Sequence, residues 1–517
     1  MRYLEYKLHG YQCGVDEHLS EIVQELHNLL CKTVKNLSNH QMHLNADILE
    51  DMAGVLVDFA SDIHTDTGIW DCYERYNVEF FGNPLPLTLK HSSAPPLNGI
   101  HLERIRHLLW VLYQEFSDIQ VICPLDGDIL CLAKVVQNFL KNSFKLLPQD
   151  CGIKKFLKTT NDYGWDVKKK LIWLGTKSYM FRLFFRRYMA SQEAAISDIP
   201  HTDDFICQKC TMWSGLGAID ILAGIIDVNE NDRKCLRNWY ERHVAPYIVL
   251  SANYKILNAK NTINNQQYQI RLNMKNHSFT PGLLVMGSLV QWRGEWYWSG
   301  TQKTIEHPST KLIDDLNSKM RRRNPSIVYR YDREYEMKAR KRMPELHAAA
   351  MAFYGSDLMI YSDGLSMAAD WQKELRRNWE SKPQEAVSKA IKQHGLKNNR
   401  ADISIPKDLL ESKEGLGVFL NPDSGKEIMD GFDFIQAGFR CNGVGLTENE
   451  KDAVRDFVQS SNISPRFVKR MTDEYGDDSI KSSFHLNETQ DSYWLDYLLR
   501  CYKGSFFRKR YPAFSLV

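Results

Sequence analysis

The chain has 517 residues, 43% of them apolar and 25% charged, which is the composition of a globular protein and not of a disordered, collagen-like or membrane-spanning one. Sixty-six Lys and Arg face 64 Asp and Glu, so a formal charge of +2 imposes no polyanionic or membrane partner. The length suits two to four domains.

Polar residues interrupt every apolar run of the opening MRYLEYKLHGYQCGVDEHL, so no secretory leader is expected there. No run of 18 apolar residues follows; stretches such as Leu283–Met286 are strand-sized. Eleven scattered cysteines are too sparse for a disulfide scaffold, and the expected location is the cytoplasm, with reduced thiols.

The periodicity predicts a mainly α, α+β chain. Residues 1–82 form a helical segment, because Ile22, Val23, Leu26, Leu29 and Leu30, then Ile48, Met52, Val55, Leu56 and Phe59, recur at helical spacing. The stretch 83–99, with Pro84, Pro86, Pro95 and Pro96, reads as a proline-rich loop. A helical domain follows over 100–250, with helices at Leu102–Phe116, Gly127–Phe144, Ser214–Ile226 and Glu230–Tyr247. Over 251–302 the pattern turns to short β runs: Tyr254–Leu257, Tyr268–Leu272, Leu283–Val290 and Trp296–Ser299. Trp292-Arg293-Gly294-Glu295 reads as a tight hairpin with Gly at positive φ. Four or five short strands in about 50 residues suit a small SH3-like β-barrel. Residues 303–400 read as a basic helical arm plus a strand–helix unit, with its strand at Leu358–Tyr361. Residues 401–517 read as a helical C-terminal domain with one strand at Leu416–Leu420. There Thr447-Glu-Asn-Glu450 is a capping box, and Ser464-Pro465 starts a helix that Gly476 ends.

The strongest charge signal is Lys319–Arg342. Its ten basic residues, Lys319, Arg321, Arg322, Arg323, Arg330, Arg333, Lys338, Arg340, Lys341 and Arg342, meet three acids, a net +7. Tyr329, Tyr331 and Tyr335 interleave with them. Such cations neutralise phosphates and release counterions, while tyrosines stack on unpaired bases. A second basic, aromatic stretch closes the chain at Arg508, Lys509 and Arg510. Trp292, Trp296 and Trp298 gather within seven residues, and one face of their strand would offer an aromatic platform.

Catalytic patterns are incomplete. Cys207-Gln-Lys-Cys210 is the one metal candidate, for zinc, yet no second pair supplies the remaining ligands. Gly215-Leu-Gly217 lacks the third glycine and the preceding strand of a dinucleotide fingerprint. Gly364-Leu-Ser366-Met-Ala368 follows a strand like a nucleophile elbow, but Ser362 or Asp363 capping a helix explains it as well. Glu336 and Lys338 fall on opposite sides of a helix, not on one strand as a nuclease site requires. The two helices at Thr447–Val458 and Pro465–Tyr475 are joined by too long a connection for a helix-turn-helix reader.

The sequence therefore leads to a non-enzymatic binding or adaptor protein, contacting nucleic acid or a ribonucleoprotein through the basic, tyrosine-interleaved arm, with no cofactor assigned. The alternatives are a scaffold whose basic arm pairs with acidic protein surface, and a hydrolase or nuclease with dispersed catalytic residues.

Overall fold

The computed structural model describes all residues except 1, 12, 38–43, 86–98, 117–121, 150, 243, 274–278, 324–332, 386–387, 389–404, 487–493 and 509–517, and the side chains of 2, 321–323, 333–335 and 339. Most of the loop expected at 83–99 thus lies outside the described residues. The chain is mixed α+β and mostly helical. It divides into two compact units, Met1–Tyr331 and Asp332–Val517.

The first unit opens with helices α1 (Val15–Val34), α2 (Ala46–Thr65), α3 (Ile69–Phe81), α4 (Leu102–Phe116) and α5 (Gly127–Ser143). Helix α2 starts where the Asn45 side chain accepts from Ile48 N at 2.9 Å. It ends where Asp62 accepts from the backbone N–H groups of Gly68, Ile69 and Trp70, so one buried carboxylate joins the end of α2 to the start of α3. The core is aromatic: Trp70, Tyr73, His107 and Trp213 interlock at ring separations of 5.5–6.2 Å. Helices α6 (Gly152–Leu157), α7 (Gly164–Lys177), α8 (Arg182–Ser191), α9 (Ile199–Gln208), α10 (Ala218–Ile225) and α11 (Glu230–Arg237) complete the helical part. Gly217 caps α10, its N–H donating to Asp220 at 2.8 Å, which accounts for the Gly-x-Gly-x-x-Asp pattern without a nucleotide.

Beyond α11 the structure departs from the expected helix 230–247. A 3₁₀ turn covers Asn238–Glu241, and β1 (Val244–Ala252) follows it in the chain. Pro246 has no N–H for a helical bond, and the following Tyr-Ile-Val-Leu run favours a pleated strand. With β2 (Ile256–Asn261), β3 (Gln267–Arg271), β4 (Leu284–Trp292) and β5 (Glu295–Ile305), β1 closes a barrel in the order β1-β2-β3-β5-β4. The strands span 244–305, wider than the expected 251–302. All described pairings are antiparallel except β3 with β5, which is parallel and holds the single register pair Ile270↔Trp296. Tyr247, Leu257, Tyr268, Ile270 and Leu289 fill the barrel interior. At the β4–β5 turn both Arg293 (φ 47°) and Gly294 (φ 83°) are left-handed, as a two-residue hairpin of this twist requires. Helix α12 (Thr310–Arg323) follows.

The second unit contains α13 (Arg333–Tyr354), β6 (Leu358–Tyr361), α14 (Gly364–Glu380), α15 (Lys407–Leu410), β7 (Leu416–Asn421) and β8 (Gly425–Asp430). The three strands form an antiparallel sheet in that order, with the fully buried β7 in the middle. Strand β8, polar and on the edge, has no sequence signal comparable to that of β7. Helices α16 (Phe432–Arg440), α17 (Glu448–Gln459), α18 (Pro465–Tyr475), α19 (Asp478–Ser483) and α20 (Trp494–Lys503) complete it. Thr447 and Glu450 make the expected reciprocal cap, Ser464 accepts from Phe467 N at 3.2 Å, and Gly476 (φ 80°) stops α18.

Candidate functional site

The basic arm straddles the boundary between the two units. Arg330, Tyr329 and Tyr331 lie outside the described residues. Arg321, Arg322 and Arg323 close α12 and Arg333 opens α13, with side chains outside the described residues. What is described lies on α13. Lys338, Arg340 and Lys341 are exposed and Arg342 is half-buried. Lys338, Lys341 and Arg342, three and four residues apart, share one side of the helix. Arg340 turns back to Glu336 at 2.8 Å in an i,i+4 ion pair, and among the described residues Glu336 belongs to no metal-site cluster. Arg508 is half-buried at the end of a 3₁₀ turn, and Lys509 and Arg510 lie outside the described residues.

The three tryptophans are placed differently: Trp292 is core, while Trp296 and Trp298 are half-buried against the barrel core. Trp292 is fully buried, its indole N–H donating to Asn161 O at 2.8 Å. Trp296 and Trp298 share one strand face, as their spacing requires. That face turns into the barrel, edge-on to Tyr268 (4.9 Å) and Tyr247 (5.5 Å). A five-stranded barrel has a narrow interior, and these large rings fill it.

Cys207 and Cys210 do not converge on a common point. Cys207 is buried on α9, 3.5 Å from Lys168 Nζ, whereas Cys210 Sγ lies 2.8 Å from the Tyr240 hydroxyl. Burial pushes the Cys207 thiol up, so it is held protonated. Cys235 donates to Gln291 O at 3.0 Å, His201 pairs with Asp198 at 2.8 Å, and His243 lies outside the described residues. Among the described residues no three His, Cys, Asp or Glu side chains come together as a metal site. In the elbow-like segment, Asp363 accepts from Ser366 N at 2.7 Å and caps α14, and a Cβ on Gly364 would meet Leu409 O at 1.9 Å.

The most organised polar cluster lies between the helices and the barrel of the first unit, where sequence reasoning placed nothing. Asp203 of α9 is paired with Lys168 of α7 and with Arg242 at 3.0 Å. It also accepts from Ser299 of β5 at 3.0 Å. Burial raises this carboxyl, and the two cations outweigh the burial, leaving it below the usual carboxylate range. Arg242 reaches Ser288 of β4 at 2.9 Å and pairs with Asp204. Gly300 must be glycine here, because its φ is +71° and a Cβ would stand 2.8 Å from Asp203 Oδ2. Ser299 and Cys207 are sealed at 1% and 2% exposure, so neither is a nucleophile open to a substrate. The cluster fastens the barrel to α7 and α9.

Above it lies a pocket of about 310 Å³. Trp165, Phe279, Tyr297 and Trp298 supply aromatic wall, and Lys168, Lys169 and Arg271 supply cations. Trp165 meets Tyr297 edge-on at 5.3 Å and stacks on Tyr163 at 4.8 Å, and Arg271 covers the Tyr163 ring at 4.8 Å. Gly164 lets α7 approach this wall, since a Cβ there would be 2.7 Å from the Tyr297 ring. The run Tyr163-Gly-Trp-Asp-Val-Lys-Lys-Lys170 is the sequence signal that could have found it.

A protein family described as "Protein of unknown function (DUF3843)" matches residues 6–200, the helical part through α8 and short of the barrel. No curated protein and no solved structure matches the chain. No described helix is long and apolar enough to cross a membrane.

Proposed function

We propose that this chain is a non-enzymatic protein that binds nucleic acid, with a barrel of the oligonucleotide-binding Greek-key type. The strand order β1-β2-β3-β5-β4, with β3 parallel to β5, carries this reading. It is the connectivity of OB-type barrels, a class that takes up single-stranded nucleic acid and oligosaccharides. The SH3-like barrel expected from strand count would have no crossover placing β5 between β3 and β4. The cations on one side of α13 support the same reading, because each phosphate they neutralise releases a counterion.

The test is fluorescence anisotropy of the full chain with a labelled single-stranded oligonucleotide, titrated at several salt concentrations. Affinity is expected to fall steeply between about 50 and 200 mM salt. The variant Lys338→Ala/Lys341→Ala/Arg342→Ala is expected to flatten the logarithmic slope, by about 0.7 for each phosphate no longer neutralised. No binding at low salt overturns the reading, and an acidic protein that co-purifies through the same cations replaces it with the scaffold alternative.

A further inference from the structure

The barrel seam between β3 and β5 holds one register pair, Ile270↔Trp296. Past that pair the strands part, and the gap between Leu272 and Trp298 opens into the 310 Å³ pocket beside α7. Its volume lies at the lower end of the range for small-molecule sites. Its chemistry is one-sided: among the described residues that line it there are three cations and no carboxylate. Lys168 is already committed to Asp203, and Arg271 is paired with Glu295. Lys169 is different. It is exposed, and no partner is described for it, so it brings an uncompensated positive charge to the pocket.

We propose that this pocket binds a nucleotide: a base lodged against the half-buried Trp165 ring, which the sealed Tyr297 ring backs edge-on, and a phosphate at Lys169 and Arg271. An indole wall offers stacking and edge contacts to any planar base. The side-chain amides of Asn273 and Gln302, both lining the pocket, bring donors and acceptors of the kind that read base edges. A guanidinium and an ammonium at one pocket, with no acid among its described lining residues, suit a phosphate. Arg271 keeps its geometry through Glu295 and through the Tyr163 ring beneath it, so the cation is oriented before any ligand arrives. The site goes beyond the proposed nucleic-acid contact on α13, and its failure and that one's are separable.

This nucleotide has two sources, a free nucleoside monophosphate or one unpaired nucleotide of a strand. Calorimetric titration of the full chain with AMP, adenosine and inorganic phosphate tests the shared chemistry. AMP is expected to bind at least about tenfold more tightly than adenosine or phosphate alone, since AMP alone both stacks its base and places its phosphate on the cations. Lys169→Glu, a surface change that leaves the core untouched, is expected to weaken AMP by about tenfold or more, as is Trp165→Leu. Lys338→Ala/Lys341→Ala/Arg342→Ala is expected to leave AMP binding unchanged. If a single-stranded oligonucleotide displaces AMP, and Lys169→Glu weakens both, the source is a strand; if AMP stays bound beside the oligonucleotide, the source is the free nucleotide. The proposal is overturned if AMP shows no heat at about 1 mM, if benzoate binds as tightly as AMP, or if Lys169→Glu binds AMP like the parent chain.

Discussion

Three consecutive lysines on α7 have three fates. Successive residues on a helix point about 100° apart, so Lys168, Lys169 and Lys170 face different surroundings. Lys168 closes the Asp203 cluster and Lys169 faces solvent at the pocket. Lys170 turns inward to 1% exposure, donating to Leu157 O (3.0 Å), Thr159 O (2.6 Å) and Asn161 Oδ1 (2.7 Å). Asn161 O in turn accepts from the Trp292 indole, so Lys170 braces the loop on which the barrel rests. Burial lowers its pKa to about 8. Lys170→Met would leave three oxygens without their donor while recovering part of the cost of burying the amine. We expect a net loss of about 2–4 kcal/mol, against about 0.5 kcal/mol or less for Lys169→Met. Urea denaturation of the two variants decides it, and equal midpoints would mean that Lys170 braces nothing. In the sequence the three lysines are one short basic run. Their divergence becomes legible only once the helix phase and the neighbours of α7 are known.

At the scale of elements, strong local chemistry was legible and long-range pairing was not. The helices at 102–116 and 127–144, the capping box at Thr447 and the stop at Gly476 follow from periodicity and caps that act within four residues. Strand β1 was not legible, because an apolar run ahead of a barrel reads equally as the end of a buried helix; the informative residue was Pro246. The crossover that puts β5 beside β3 leaves no local mark at all, and neither does the pocket that forms where that seam ends. The β4–β5 hairpin lies between these cases. Its glycine was legible, but its left-handed Arg293 was not. That residue is held by Asp232 at 2.9 Å and Asp162 at 3.1 Å, partners more than 60 residues away along the chain. A Cβ at Gly294 would meet nothing within 4 Å, so Gly294→Ala tests backbone strain alone. The expected cost is about 1–2 kcal/mol, read as a lower denaturation midpoint with the fold retained. An unchanged midpoint would show that the turn adopts a different type in solution.

In the first unit His107, alongside the Lys170 already described, and in the second unit Lys503 are basic groups whose charged form burial disfavours, and His107 and Lys503 act in different pH windows. In the first unit, burial lowers His107 to about 3; it sits in the aromatic core, 2.9 Å from the Tyr73 hydroxyl. In the second unit, burial lowers Lys503 to about 7, where its ammonium meets the carbonyls of Phe457 and Ser460. An unfolded chain would titrate these groups near 6.5 and 10.4. Between its folded and unfolded values each group binds more protons unfolded than folded, so stability rises with pH inside that window, by up to about 1.4 kcal/mol per pH unit. The His107 contribution is therefore present above about pH 6.5 and lost as pH falls toward 3. The Lys503 contribution grows from about pH 7 to beyond 10. Cys72, adjacent to Tyr73, and Cys501, two residues before Lys503, are both buried thiols and report local opening in their own units. Their labelling rates, each divided by the rate in the denatured chain at the same pH, give the two pH profiles separately. We expect Lys503→Met to remove the rise in Cys501 protection between pH 7 and 9.5 while leaving Cys72 unaffected. His107→Gln should make Cys72 protection less sensitive to acid below pH 6.5 and leave Cys501 as it was. A change at both thiols from either variant would mean that Met1–Tyr331 and Asp332–Val517 unfold as one cooperative body, and that the surfaces assigned to each would have to be tested as a single one.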